Sequence, residues 1–197
     1  MADAATFPVS PFSVAVFCGS RPGHHPDYMA AAATLGHGLA QAGLRLVFGG
    51  GKVGLMGALA DAALAAGGAV IGVIPDFLTR LELAHRDVSE LVITTSMHAR
   101  KQLMFDLADA FVVLPGGLGT LDETVEILTW RQLGLHAKPV LLCDIEGSAA
   151  PLRAMIESAV AAGFAPEAAL TFFEPLAGTA AILARLRELA SAPGAAR

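Results

Sequence analysis

Short apolar runs rich in β-branched residues alternate along the chain with longer alanine-rich stretches. The runs are "SVAVFC" (13–18), "LRLVF" (44–48), "AVIGVI" (69–74), "LVIT" (91–94), "AFVVL" (110–114) and "PVLLC" (139–143), with "LTFF" (170–173) as a seventh. Several are continuously apolar, which is the pattern of strands covered on both faces. Helical patterns fall between them, near 27–42, 54–66, 97–108, 120–133, 151–162 and 178–190. Such alternation predicts an α/β fold, a doubly wound parallel sheet of about six or seven strands flanked by helices.

The 197 residues fit a single domain, with a core over about 13–190 and frayed ends. The apolar share is 54%, above the usual range, and points to buried subunit contacts. No apolar run reaches the roughly 18 residues of a membrane span. The uncharged stretch 62–75, for instance, is broken by Gly67, Gly68 and Pro75. The first residues lack the basic and apolar regions of a signal peptide. Cys18 and Cys143 both sit in apolar runs and read as buried free thiols. A cytoplasmic location is therefore expected. Net charge is −5, and the 13 basic residues form no stripe suited to nucleic acid.

In a doubly wound sheet, ligands bind beyond the carboxyl ends of the strands. The loops to search are "GSRPG" (19–23, with Ser20), "GGGKVGLMG" (49–57), "PDFLTRLE" (75–82), "TSMHARK" (95–101) and "PGGLGTLDE" (115–123). The second contains G-x-G-x-x-G, and Asp76 follows about 20 residues later, as in dinucleotide folds. Gly50 and Gly51 then either approach a nucleotide or let the next helix pack closely. The fifth loop is richer. Gly116, Gly117 and Gly119 would allow backbone N–H groups close to a ligand, and Thr120 could cap a helix whose start binds an anion. Thr120-Leu121-Asp122-Glu123 also fits a capping box, in which Glu123 merely serves the helix end. A phosphate beside two carboxylates calls for cations. Arg100–Lys101, the one adjacent basic pair in the chain, should reach the same sheet edge.

Together, "GGGKVGLMG", "MHARK" (97–101) and "PGGLGTLDE" followed by "EILTWRQLG" (126–134) closely resemble the Lonely Guy family, over about residues 13–163. That resemblance implies a Rossmann-like sheet, a homodimer with the site near its interface, and hydrolysis of cytokinin-type nucleoside 5′-monophosphates to free base and ribose 5-phosphate. No cofactor or metal is implied. Arg100 and Glu123 would be catalytic. Glu82, Met97, Lys101, Gly117, Gly119, Thr120 and Thr129 would line the nucleotide site. Two departures stand out: Ala99 precedes Arg100, and Ser148–Ala149 follow Gly147 where many members have two tyrosines.

Three rivals are weaker. A pyridoxal-phosphate lysine decarboxylase would need one of Lys52, Lys101 or Lys138 as its Schiff base, and none explains the motifs better than nucleotide binding does. A dinucleotide oxidoreductase would rest on the first glycine loop alone. A non-catalytic carrier of a nucleotide or of molybdenum cofactor has no need of Arg100 and Glu123. The six histidines and two cysteines show neither H-x-x-x-H nor C-x-x-C spacing, so no metal is expected.

Overall fold

The computed structural model describes residues 11–79 and 83–192. Seven strands, β1 (Ser13–Phe17), β2 (Arg45–Phe48), β3 (Val70–Pro75), β4 (Glu90–Thr94), β5 (Ala110–Val113), β6 (Val140–Asp144) and β7 (Glu174–Ala177), form one sheet. Every pairing is parallel and the order is β4-β3-β2-β1-β5-β6-β7. The helices are α1 (Pro26–Gln41), α2 (Gly54–Ala65), a short α3 (Asp76–Thr79), α4 (Met97–Leu107), α5 (Leu118–Gln132), α6 (Ala150–Ala161) and α7 (Gly178–Ser191).

Strand periodicity feeds two cores. Val14 and Val16 of β1, with Leu46 and Phe48 of β2, pack against α1, α2 and α7 through Leu35, Leu59 and Ile182. Ala15, Phe17, Val47 and Phe111 face the other way, against Met104 of α4, Ile127 of α5 and Leu152 of α6. Because both faces are covered, the central strands β1, β2 and β5 are apolar on both faces beyond the Ser13 and Arg45 that open β1 and β2, which explains their continuous runs. Leu35, Leu46, Phe48, Leu59 and Phe111 are wholly inaccessible.

The winding reverses between β1 and β5, which are neighbours despite lying far apart in sequence. The loops after these strands therefore part at the carboxyl edge and open a crevice. The Gly19 N–H donates to the Pro115 carbonyl at 3.0 Å and ties the two loops at their base.

Two expected boundaries move. The seventh strand lies at Glu174–Ala177, not 170–173, where a 3-10 turn (Glu167–Thr171) leads into a bend that buries Phe173 in the second core. Pro175 sits within β7, which is acceptable because β7 is an edge strand. Helix α5 begins at Leu118, two residues before the expected Thr120.

Candidate functional site

Four loops and two helix starts converge at the crevice. Helix α4 is capped by the Ser96 hydroxyl, which accepts from the Ala99 N–H at 3.1 Å. This places Arg100 at the end of the first turn, with its side chain directed inward. Its Nε donates to the Val73 carbonyl at 3.1 Å, and Nη2 donates to the Gly49 carbonyl at 3.3 Å. Nη2 also lies 3.4 Å from Glu123 Oε1 on α5. Among the described residues, Nη1 makes only a 3.8 Å contact with the Met97 sulfur and keeps donor capacity. Arg100 and Glu123 are 8% and 7% exposed, so the pair is buried at the crevice floor.

The capping-box reading of Glu123 fails here. Gly117 is the N-cap of α5 and no side chain caps it. Glu123 lies in the second turn, and its carboxylate faces Arg100 rather than the helix start. Thr120 is inside the helix and 5% exposed, so it is not the N-cap either. Its side chain packs over Gly116, where a Cβ would collide with it. Gly116 is thus required by Thr120, whereas Gly117 and Gly119 face open space.

The first helical bond of α5 runs from the Leu121 N–H to the Gly117 carbonyl. The N–H groups of Leu118, Gly119 and Thr120 thus have no intrahelical partner, as at any helix start. Gly116, Gly117, Leu118 and Gly119 are exposed. The result is an open, positively polarised helix end one turn from a buried carboxylate.

Burial pushes the Glu123 carboxyl up to about 7. Arg100 opposes that shift by favouring the carboxylate, and Asp122 adds to it. A carboxyl of this kind changes charge at neutral pH, as catalytic acids and bases must. The Cys18 thiol lies close enough to feel both charges. Its pKa is raised, first by burial and then by Glu123, so it stays a neutral thiol.

Lys101 points away from Arg100. Its Nζ bridges Asp122 and Glu126 on α5, each at 3.1 Å. Desolvation works against the ammonium, but the hydrogen bonds it donates to Glu126 and Asp122 outweigh that and raise its pKa. Thr129 is exposed further along α5, its hydroxyl donating to the Val125 carbonyl at 2.8 Å. Ser20 is exposed at the crevice rim, and Met97 is half-buried beside Arg100. Gly50 and Gly51 are buried, and their backbone is engaged by residues 84 and 85. Glu82 lies outside the described residues.

The described residues thus join Arg100, Glu123, Met97, Gly49 and Val73, and set the 116–120 loop beside them. Sequence reasoning did not foresee the two carbonyls that grip Arg100. Nor did it foresee His85, whose N–H donates to the Gly50 carbonyl at 2.8 Å.

A family model described as "Possible lysine decarboxylase" matches residues 56–186. A cytokinin riboside 5′-monophosphate phosphoribohydrolase of Rhodococcoides fascians is 49% identical over 156 residues, 79% of each chain. The chain belongs to the Lonely Guy family. Another member, the cytokinin riboside 5′-monophosphate phosphoribohydrolase of Arabidopsis thaliana, is 45% identical over 77% of this chain and 70% of its own. Among solved structures, the molybdenum cofactor carrier protein of Chlamydomonas reinhardtii matches with a TM-score of 0.72, covering 93% of this chain and 100% of its own. At 22% identity, that likeness speaks for the fold alone. The lysine chemistry in the family model's description has no counterpart at the crevice floor, which holds an arginine and a glutamate.

Proposed function

We propose that this member of the Lonely Guy family hydrolyses the N-glycosidic bond of purine nucleoside 5′-monophosphates of the cytokinin type, releasing free base and ribose 5-phosphate. The observation that carries the reading is a buried, charge-paired carboxylate with a pKa of about 7, one turn from an open helix N-terminus. The helix end takes the 5′-phosphate. The sugar then extends towards Glu123, and the base leaves on the far side of C1′.

As the C1′–N9 bond lengthens, positive charge develops on the sugar, as in glycoside hydrolysis. The Glu123 carboxylate stabilises that charge. The elements of water divide between the products: the ribose gains the hydroxyl and the purine gains the proton. Arg100 is a poor proton donor because its guanidinium stays charged. Its work is to hold Glu123 and to offer Nη1 to the substrate. The phosphate acts as a handle whose binding energy places C1′ beside the carboxylate.

The close relatives are named for this activity and share 45–49% identity with the chain, which supports the same reaction here. The carrier reading is supported only by fold likeness, and it leaves the Arg100–Glu123 pair without work. Exposed Leu118, Leu121 and Val125 line one side of α5 beside the site and support a homodimer with the site near its interface. Sedimentation of a 20 kDa species with full activity would contradict that assembly. Two free, buried cysteines support a cytoplasmic location. Among the described residues no helix is long and apolar enough to cross a membrane.

The test is a panel of nucleoside 5′-monophosphates, including AMP and its N6-isopentenyl derivative, with chromatographic detection of base and ribose 5-phosphate. Release of both products is expected. Tight binding without any base released would favour a carrier.

A further inference from the structure

The site has a second tier, built from residues that no ligand need touch. Residues 83–85 lie along the glycine loop that follows β2. The Lys52 N–H donates to the Leu83 carbonyl at 2.9 Å, Gly51 pairs antiparallel with Ala84, and the His85 N–H donates to the Gly50 carbonyl at 2.8 Å. The neighbouring Gly49 carbonyl accepts from Arg100 Nη2. The same loop cannot move aside easily. Gly50 has a left-handed φ of 72°, and a Cβ on Gly49 would strike the Arg100 guanidinium.

One side-chain contact locks this arrangement. His85 is 5% exposed and packs edge-on to Phe48, with ring centroids 6.5 Å apart. Its Nε2 lies 2.9 Å from Asp61 Oδ1 on α2. The carboxylate can only accept, so Nε2 carries the proton and donates it. Among the described residues, the buried Nδ1 has no hydrogen-bond partner. A leucine would fill the same space without that cost. The histidine is thus poorly explained by stability and well explained by the bond to Asp61.

We propose that the Asp61–His85 pair is a positioning device for the Arg100–Glu123 centre: it clamps residues 83–85 onto the glycine loop and so fixes the Gly49 carbonyl that orients the guanidinium. Asp61 stands at the surface, its side chain 71% exposed, and is distant from the chemistry. It acts through a chain of contacts, from α2 to His85, to Gly50, to Gly49 and to Arg100. Neither Asp61 nor His85 is a catalytic residue. The proposal rests on the hydrolase reading above for its effect on rate, but its geometric content can be measured without substrate.

Asp61→Ala and Asp61→Asn test it, since an exposed side chain can be replaced without unfolding the chain. Alanine removes the acceptor, whereas asparagine keeps an oxygen for Nε2 and removes only the charge. In Asp61→Ala, kcat with AMP should fall roughly tenfold while KM changes little, the mark of a displaced reacting group. The Glu123 carboxyl, followed by carbon-13 NMR across pH 5–9, should titrate higher than in the parent because Arg100 is held less closely. Asp61→Asn should restore both values. An unmoved kcat or an unmoved Glu123 titration in Asp61→Ala overturns the proposal. So does an asparagine variant no better than alanine, which would assign the effect to charge. If the parent releases no base from AMP, the hydrolase reading falls, and the NMR titration alone then decides the positioning role.

Discussion

Replacing Glu123 by glutamine should move activity and stability in opposite directions. The carboxyl is 7% exposed and is held near 7 instead of its ordinary 4.5, with burial as the main cause. A raised carboxyl pKa means that the folded chain binds the proton more tightly than the unfolded chain. The associated stability is fully present below pH 4.5 and is lost as pH rises through 7. Each pH unit of displacement is worth about 1.4 kcal/mol, so ionising this group costs at most about 3 kcal/mol above neutrality. Glutamine imitates the neutral acid, and its amide oxygen can still accept from Arg100. At pH 8 the variant should therefore melt higher than the parent, by up to about 10 °C for a chain of this size. At pH 4.5 the two should nearly coincide. Turnover of AMP should fall at least a few hundredfold, the scale of losing a charge aimed at the transition state. Thermal melts at both pH values and a base-release assay on the same preparations test the pair of effects. Near-parental turnover would refute the catalytic assignment. A melting difference independent of pH would refute the burial argument.

Further consequences concern the same corner. The rate of AMP hydrolysis should rise with pH through an ionisation near 7, because the carboxylate is the working form; a flat profile between pH 6 and 8 counts against Glu123. Arg100→Lys should lose at least a hundredfold in kcat/KM, because an ammonium lacks the planar fork whose Nε and Nη2 reach Val73, Gly49 and Glu123 from separate atoms; retention of more than a tenth of the activity would show that charge alone suffices. Lys101→Ala should lower kcat/KM for AMP roughly tenfold while sparing any residual rate on adenosine. Equal losses on both compounds would show that Lys101 only braces α5 through Asp122 and Glu126.

The central strands were readable because burial on both faces leaves them almost continuously apolar, as "SVAVFC" and "AFVVL" show. β7 was not, because at a sheet edge Pro175 is tolerated and Glu174 can be wet, while the more strand-like Phe173 serves the core from a bend. In the site, the Lonely Guy resemblance drew Arg100 and Glu123 together, whereas spacing alone left Glu123 open to a capping role. The T-x-x-E pattern pointed to a capping box with Thr120 as N-cap, but glycine can take that position, and the N-cap lies three residues earlier at Gly117. Residues Val73, Gly49 and His85 escaped notice for a different reason. Val73 and Gly49 act through backbone carbonyls, which carry no sequence signature, and His85 meets Asp61 across a sequence separation of 24.

The central claim is that a phosphate handle at the start of α5 delivers a glycosidic bond to Glu123. Its most direct test is AMP against adenosine, at equal concentration and with the same enzyme, following free adenine by chromatography. Two or three charge-assisted contacts to the phosphate, each worth roughly 1.5–3 kcal/mol, predict at least a hundredfold preference for AMP in kcat/KM, with part of it in kcat. Equal efficiency on the two compounds, or adenine released from neither, would contradict it.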